Sequence, residues 1–139
     1  MRRLRNLVAL AALLGSSPDM AFGCSCGEQT LDEAFARAQF VFVGKVVRLE
    51  VVATLDGVDS IRASVAPSEV FKGAVGSSVE FATDNGCCYC SYDFEIAQEY
   101  LLFATEREGL FSTSACSRSE LVDASQADLR ALRAAAEAP

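Results

Sequence analysis

The sequence contains no histidine, which removes the commonest general base and the usual nitrogen ligand of a catalytic zinc. A Ser-His or Cys-His nucleophile pair is therefore excluded, and an intrinsic catalytic zinc site of the ordinary kind is disfavoured. No glycine-rich phosphate loop or nucleotide fingerprint is present either. Basic residues are scarce, with 12 Lys and Arg against 19 Asp and Glu. Phosphate binding needs clustered Lys and Arg to release counterions, so this balance repels nucleic acid and anionic lipid. The carboxylates fall in turns and on strand exteriors without an acid/base pairing. No apolar run approaches the roughly 20 residues needed to cross a bilayer, and no repeat or low-complexity stretch occurs. These absences predict a protein that is not an enzyme, carries no cofactor and binds neither nucleic acid nor membrane.

Cysteine, by contrast, is plentiful, with six residues at Cys24, Cys26, Cys87, Cys88, Cys90 and Cys116. All six lie behind a segment with the form of a secretion signal. Arg2, Arg3 and Arg5 give it a positive start, residues 7–14 are unbroken apolar, and Ala21-Phe22-Gly23 supplies small residues where a signal peptidase reads. Cleavage after Ser17 would put Pro18 behind the scissile bond, so release is expected between Gly23 and Cys24. Residues 18–23 kept as a short tail are the alternative. The expected domains are thus a signal at 1–23 and one mature domain at 24–139. A small residue before a cysteine also fits part of the bacterial lipoprotein signal, which would acylate Cys24. Ala21 and Phe22 stand where that signal prefers a branched aliphatic and a small residue, so lipidation is the lesser reading and the only route to a membrane. The mature part keeps 9 basic and 18 acidic residues out of 116, a net charge of −9, and is expected to be a secreted, extracellular or periplasmic monomer or weak dimer.

In such a compartment cysteines pair. Cys24 and Cys26 have one residue between them and cannot easily bridge each other, so each is expected to reach a distant partner and staple the new amino terminus to the body twice. Six cysteines allow 15 full pairings, and spacing alone leaves them open. Cys87-Cys88-Tyr89-Cys90 contains a Cys-x-x-Cys, but a redox pair of that kind sits at a helix start in a βαβ unit, and the neighbouring pattern is antiparallel strand. Soft-metal binding by clustered thiolates is a further alternative.

Along the mature chain, Thr30-Leu31-Asp32-Glu33 has the form of a capping box, and Leu31, Ala34, Phe35 and Ala38 share a helical face. From Phe40 to Val52 the residues read as one long strand. It is buried on both faces at first, then alternates with Val47, Leu49 and Val51 inward and Arg48 and Glu50 outward. Gly44 marks a sharp coil, as in small barrels. Strands are further expected at 61–71, with Pro67 marking a bulge or edge, and at 78–82, 100–105 and 110–115. Turn signals stand at Asp56-Gly57, Asn85-Gly86 and Glu106-Arg107-Glu108-Gly109. Ser125 is placed to cap a final helix carrying Leu129, Leu132 and Ala136 on its inner face and Arg130 and Arg133 outside. Five strands with glycine turns predict a mainly β fold closed as a five-stranded barrel of the OB type, with a short first helix and a docked last one. Phe35, Phe40, Phe42, Phe71, Phe81, Phe94, Tyr100 and Phe103 are read as core rather than as a stacking surface.

Several stretches together resemble a known family. They are the Cys24-Ser25-Cys26 start behind a signal, Val43-Gly44-Lys45-Val46-Val47, Glu69-Val70-Phe71-Lys72-Gly73, Cys90 four before Phe94, Glu99-Tyr100-Leu101 and Ser112-Thr113-Ser114-Ala115-Cys116. Over residues 24–118 the chain resembles the inhibitory domain of the tissue inhibitors of metalloproteinases, and more closely the short bacterial netrin-like modules. The resemblance implies an OB barrel with an amino-terminal ridge and the pairings Cys24–Cys90 and Cys26–Cys116. It also implies inhibition of a secreted zinc metallopeptidase. The amine and carbonyl of Cys24 would bind the target's zinc, Ser25 would enter its specificity pocket, and the protein would hold no metal of its own. Gly27-Glu28-Gln29 departs from the proline-bearing stretch typical of the family, and Cys87 and Cys88, which could form an extra pair, have no counterpart in it. A non-inhibitory extracellular interaction module on the same barrel is the alternative, since fold does not fix function.

Overall fold

The computed structural model describes residues 24–53, 57, 59–84 and 90–139. The signal segment, the tip of the first hairpin, the Asn85-Gly86 turn, Cys87 and Cys88 lie outside the described residues. Helix α1 (Leu31–Arg37) is followed by strands β1 (Phe40–Val52), β2 (Ser60–Lys72), β3 (Val79–Asp84), β4 (Glu99–Arg107), β5 (Leu110–Ser112) and β6 (Glu120–Leu121), then by helix α2 (Gln126–Glu137). The strand order is β1-β2-β3-β5-β4, and pairing of β4 back onto β1 closes a five-stranded barrel, with the short β6 added beside β4. All pairs are antiparallel except β3 with β5. A five-stranded closed barrel with this order is the OB arrangement expected from the turn and strand pattern.

The long apolar stretch of β1 explains why the barrel has two cores. Side chains alternate across a strand, so Phe42 and Val46 point into the barrel with Ala63, Val65, Val79, Phe81, Tyr100, Leu102, Ala104 and Phe111. Val41 and Val43 point out, where Leu101 and Phe103 of β4 join Ala34 and Ala38 of α1 and Leu129 and Leu132 of α2. A strand buried on both faces is therefore the seat of both helices. Beyond Val46 the expected alternation fails. The register slips between Val46 and Arg48, which turns Val47 out to 54% exposure, while Leu49 stays partly buried and Val51 is exposed.

Two glycines permit the curvature. A side chain on Gly44 would collide with Val65 inside the barrel, and Gly44 lies opposite Pro67 where the β1–β2 register shifts, so the strand coils there around a bulge as its sequence predicts. Gly73 sits at φ 82° with Gln39 O and Phe40 against it. The β4–β5 turn places Glu108 and Gly109 at φ 54° and 81°, the two left-handed residues of a type I′ hairpin.

Several expectations need correction. Strand β5 ends at Ser112 rather than at residue 115, because Thr113, Ser117 and Ser119 satisfy one another and the β4 backbone in place of a ladder. The oxygen of Ser119 accepts from Phe103 N–H at 2.9 Å, and Thr113 Oγ1 lies 2.6 and 2.7 Å from the Ser117 and Ser119 hydroxyls. Helix α2 starts after Ser125, but the Ser125 hydroxyl donates back to Val122 O instead of capping the helix, and Ala136 is exposed. The aromatic set is core or packs on it, joined by Phe111 and Tyr92.

Candidate functional site

Residues 24–28 form a ridge at one end of the barrel. Cys24 is half-buried, and Ser25, Cys26, Gly27 and Glu28 are exposed. Among the described residues none bonds to the backbone N–H or C=O groups of residues 24–28. Such a segment would fray if left to itself. It is held because Cys24 is bridged to Cys90 and Cys26 to Cys116, with Cα–Cα distances of 4.8 and 5.2 Å. These are the pairings the resemblance implies, and they tie residues 24 and 26 to points 66 and 90 residues away in sequence.

The two anchors are themselves fixed to each other. Cys90 adopts φ 77°, and its carbonyl accepts from Ala115 N–H at 3.1 Å. The turn before β4 and the turn after β5 thus close on one another beneath the ridge. The bridges are packed in contact: Cys24 Sγ lies 3.0 Å from Cys116 Sγ and 3.7 Å from Cys26 Sγ, and Cys116 Sγ lies 3.9 Å from Cys90 Sγ.

Behind the ridge the chain is clamped by Arg118. Its Nη1 donates to Gln29 O at 2.6 Å, while Nε and Nη2 donate to the two oxygens of Asp128 at 2.6 and 2.9 Å. One planar guanidinium therefore joins the amino-terminal segment, the turn after the bridge and the first turn of α2, where Asp128 also suits the helix dipole. The bond to Asp128 raises the Arg118 pKa further above its ordinary value. With its side-chain amide turned so that oxygen and nitrogen exchange places, Gln29 donates to Cys116 O at 3.2 Å and accepts from Arg37 at 3.3 Å.

The capping box read from the sequence is formed. Glu33 N–H donates to Thr30 Oγ1 at 3.2 Å, and Thr30 N–H donates to Glu33 Oε2 at 2.9 Å, which holds the Glu33 carboxyl below the usual carboxylate range. At the other end of α1, Lys72 Nζ donates to Phe35 O at 2.6 Å and lies 5.0 Å from the centre of the Phe35 ring. A cation at the helix carboxyl end complements the dipole. The Phe71-Lys72-Gly73 motif is thereby explained, since Phe71 packs on the outer core, Lys72 caps α1, and Gly73 allows the close pass over Gln39.

The structure joins Cys24 to Cys90 and Cys26 to Cys116, as the resemblance implies, with Ser25 exposed between the two bridged cysteines. Sequence reasoning missed Arg118, whose only trace is an arginine between Cys116 and an acidic residue at a helix start, and it missed the hydroxyl group of the 113–119 turn. The bridges fit an oxidising, extracellular-type compartment, and no described helix is long and apolar enough to cross a membrane. The chain matches no model of a known protein family and no curated protein.

Proposed function

We propose that this protein inhibits secreted zinc metallopeptidases through the ridge at residues 24–28. The observation that carries the reading is a segment, exposed from Ser25 to Glu28, that two disulfides staple to the barrel. Pre-ordering of this kind reduces the entropy lost on binding. Released between Gly23 and Cys24, the chain starts with an amine and a carbonyl on one residue, a compact two-point ligand for the open position that catalytic zinc keeps for water. Cys24 displaces that water, and Ser25 enters the pocket beside it. Because the amine must be unprotonated, and an α-amino group titrates near about 7.7–8.0, binding strengthens as pH rises through that range and levels off above it. Ser25 fills a deep pocket poorly, so affinity is modest and selectivity broad, and Ser25→Leu strengthens binding to deep-pocketed targets.

The test is amino-terminal sequencing of the secreted protein followed by inhibition assays against a panel of zinc endopeptidases. The native protein inhibits at least one of them, and an alanine added before Cys24 abolishes inhibition while the barrel still melts at the same temperature. Equal inhibition by the extended protein would rule out the chelating amine. Inhibition by neither would favour a non-inhibitory interaction module on the same barrel.

A further inference from the structure

We infer that two copies of this chain pair edge to edge through residues 47–51 of β1, joining their sheets about a two-fold axis at Leu49. The edge is open because β4 stops short of it. Strand β1 has β2 on one side from Val41 to Val52, but β4 lies on its other side only from Phe40 to Lys45. Val46 still donates to Gln98 O and accepts from Ala97 N–H, at 3.0 and 2.8 Å. Beyond it, nothing among the described residues pairs with that side. Along an antiparallel strand the backbone groups of successive residues face opposite edges in turn. The register slip drops Val47 from the count between Val46 and Arg48, so Leu49 and Val51 turn their N–H and C=O groups to the open side. Guarded edges carry lysine, proline or an inward charge. Here Val47 and Val51 are 54% and 65% exposed instead.

What complements this edge is the same edge on a second copy. Laid antiparallel on itself about Leu49, Val47-Arg48-Leu49-Glu50-Val51 sets Leu49 against Leu49, where the two exchange both backbone hydrogen bonds. Arg48 then faces Glu50 of the second copy, Glu50 faces Arg48, and Val47 faces Val51. An axis moved one residue either way would set Arg48 against Arg48 or Glu50 against Glu50, so charge fixes the register. Within one copy Arg48 already reaches Glu50 and Glu80 at 3.0 and 3.4 Å, and Glu50 lies opposite Arg62. The joined sheet therefore carries a row of alternating sign: Glu80 and Arg48 of one copy, then Glu50 and Arg62 of the other. These four charges balance within an acidic chain, which lets two copies meet here although the rest of their surfaces repel. Strands β1, β2 and β3 of each copy become one six-stranded sheet. The contact is isologous and closed, and its short length makes the association weak.

The experiment is sedimentation equilibrium of the oxidised mature chain up to about 1 mM, with amide exchange followed by NMR over the same concentrations. A dimer forms as concentration rises, and the Leu49 and Val51 amides gain protection in step with it. Val51→Pro removes an outward N–H without touching the β2 ladder and leaves the chain monomeric. Arg48→Glu and Glu50→Arg each set like charges across the axis, twice by symmetry, and each weakens self-association by about tenfold or more. Mixed together, these two variants set opposite charges across it and pair with each other more tightly than either pairs with itself. A chain still monomeric at about 1 mM, a dimer that survives Val51→Pro, or a mixture that pairs no better than its components would overturn the proposal. The unaltered protein decides the matter even where a variant loosens the sheet. Concentration-dependent protection that falls elsewhere and spares Leu49 and Val51 would overturn the proposal too.

Discussion

Replacing Arg118 with alanine tests whether the ridge is held by more than its disulfides. The change removes three charge-assisted hydrogen bonds at 2.6–2.9 Å. Bonds to charged groups contribute about 1.5–3 kcal/mol each in net terms, but they share one side chain and are not additive. Arg118 is also 35% exposed, while Asp128 is 16% exposed, so solvent screens part of the attraction. What remains is chiefly the cost of leaving Asp128 partly buried without its partner and Gln29 O without a donor, offset a little by the α2 dipole. A loss of about 2 kcal/mol is expected, or roughly 8 °C in melting temperature for a domain near this size. Arg118 adopts φ 72°, which costs alanine but not glycine about 1 kcal/mol. Arg118→Gly is therefore milder than Arg118→Ala, although both lose the clamp. Urea unfolding of the oxidised proteins gives the comparison, and a double-mutant cycle with Asp128→Ala isolates a coupling of about 1–2 kcal/mol. A loss below about 0.5 kcal/mol with no coupling would show that the bridges alone fix the ridge.

Replacing Cys26 and Cys116 together with serine costs roughly 3–5 kcal/mol by the chain-entropy estimate, measured by urea unfolding under oxidising conditions; because Cys24–Cys90 still tethers the terminus, the barrel remains folded. Gly73→Ala, at φ 82° with Gln39 O 2.8 Å from the added carbon, costs about 2 kcal/mol or more, whereas Gly57→Ala, at φ 74° with nothing within 4 Å, costs about 1; equal effects would deny the close approach. Stability also falls with acid. Thr30 and Arg133 hold the Glu33 and Glu69 carboxyls below 4.5, so their contribution is complete above that value and is lost as pH drops through it toward the folded-state pKa. Glu33→Gln keeps the capping geometry and flattens that acid limb in thermal melts.

The sequence made β1 legible to its residue limits because apolar side chains on both faces and a glycine at the coil leave little freedom. The capping box was legible for a similar reason, since Thr30 and Glu33 interact within one turn. What escaped was non-local or cooperative. The slip at Val47 depends on how β2 lies opposite, and alternation along one strand carries no trace of its neighbour's register. Strand β5 stops early because three hydroxyls from residues 113, 117 and 119 form a closed network with Phe103, and side chains of this kind compete with ladders only where the fold brings them together. Arg118 was missed because its two partners lie 89 and 10 residues away.

The residues that carry the family resemblance divide by what they touch. Gly44, Phe71, Lys72, Gly73 and Tyr100 are spent on the barrel and on seating α1: the Tyr100 hydroxyl accepts from Glu95 N–H at 2.9 Å, and Lys72 binds the end of the helix. Their presence argues for the fold, and any scaffold of this shape needs them whatever it binds. Cys24 and Ser25 differ, because an exposed serine between two bridged cysteines adds little to stability. Its identity is free to follow whatever the ridge meets. Substitutions at Ser25 are therefore the ones that separate binding from folding. A change there that alters a partner's affinity while leaving the melting temperature fixed points to the ridge as the working surface, and a change that alters neither points to another face of the barrel.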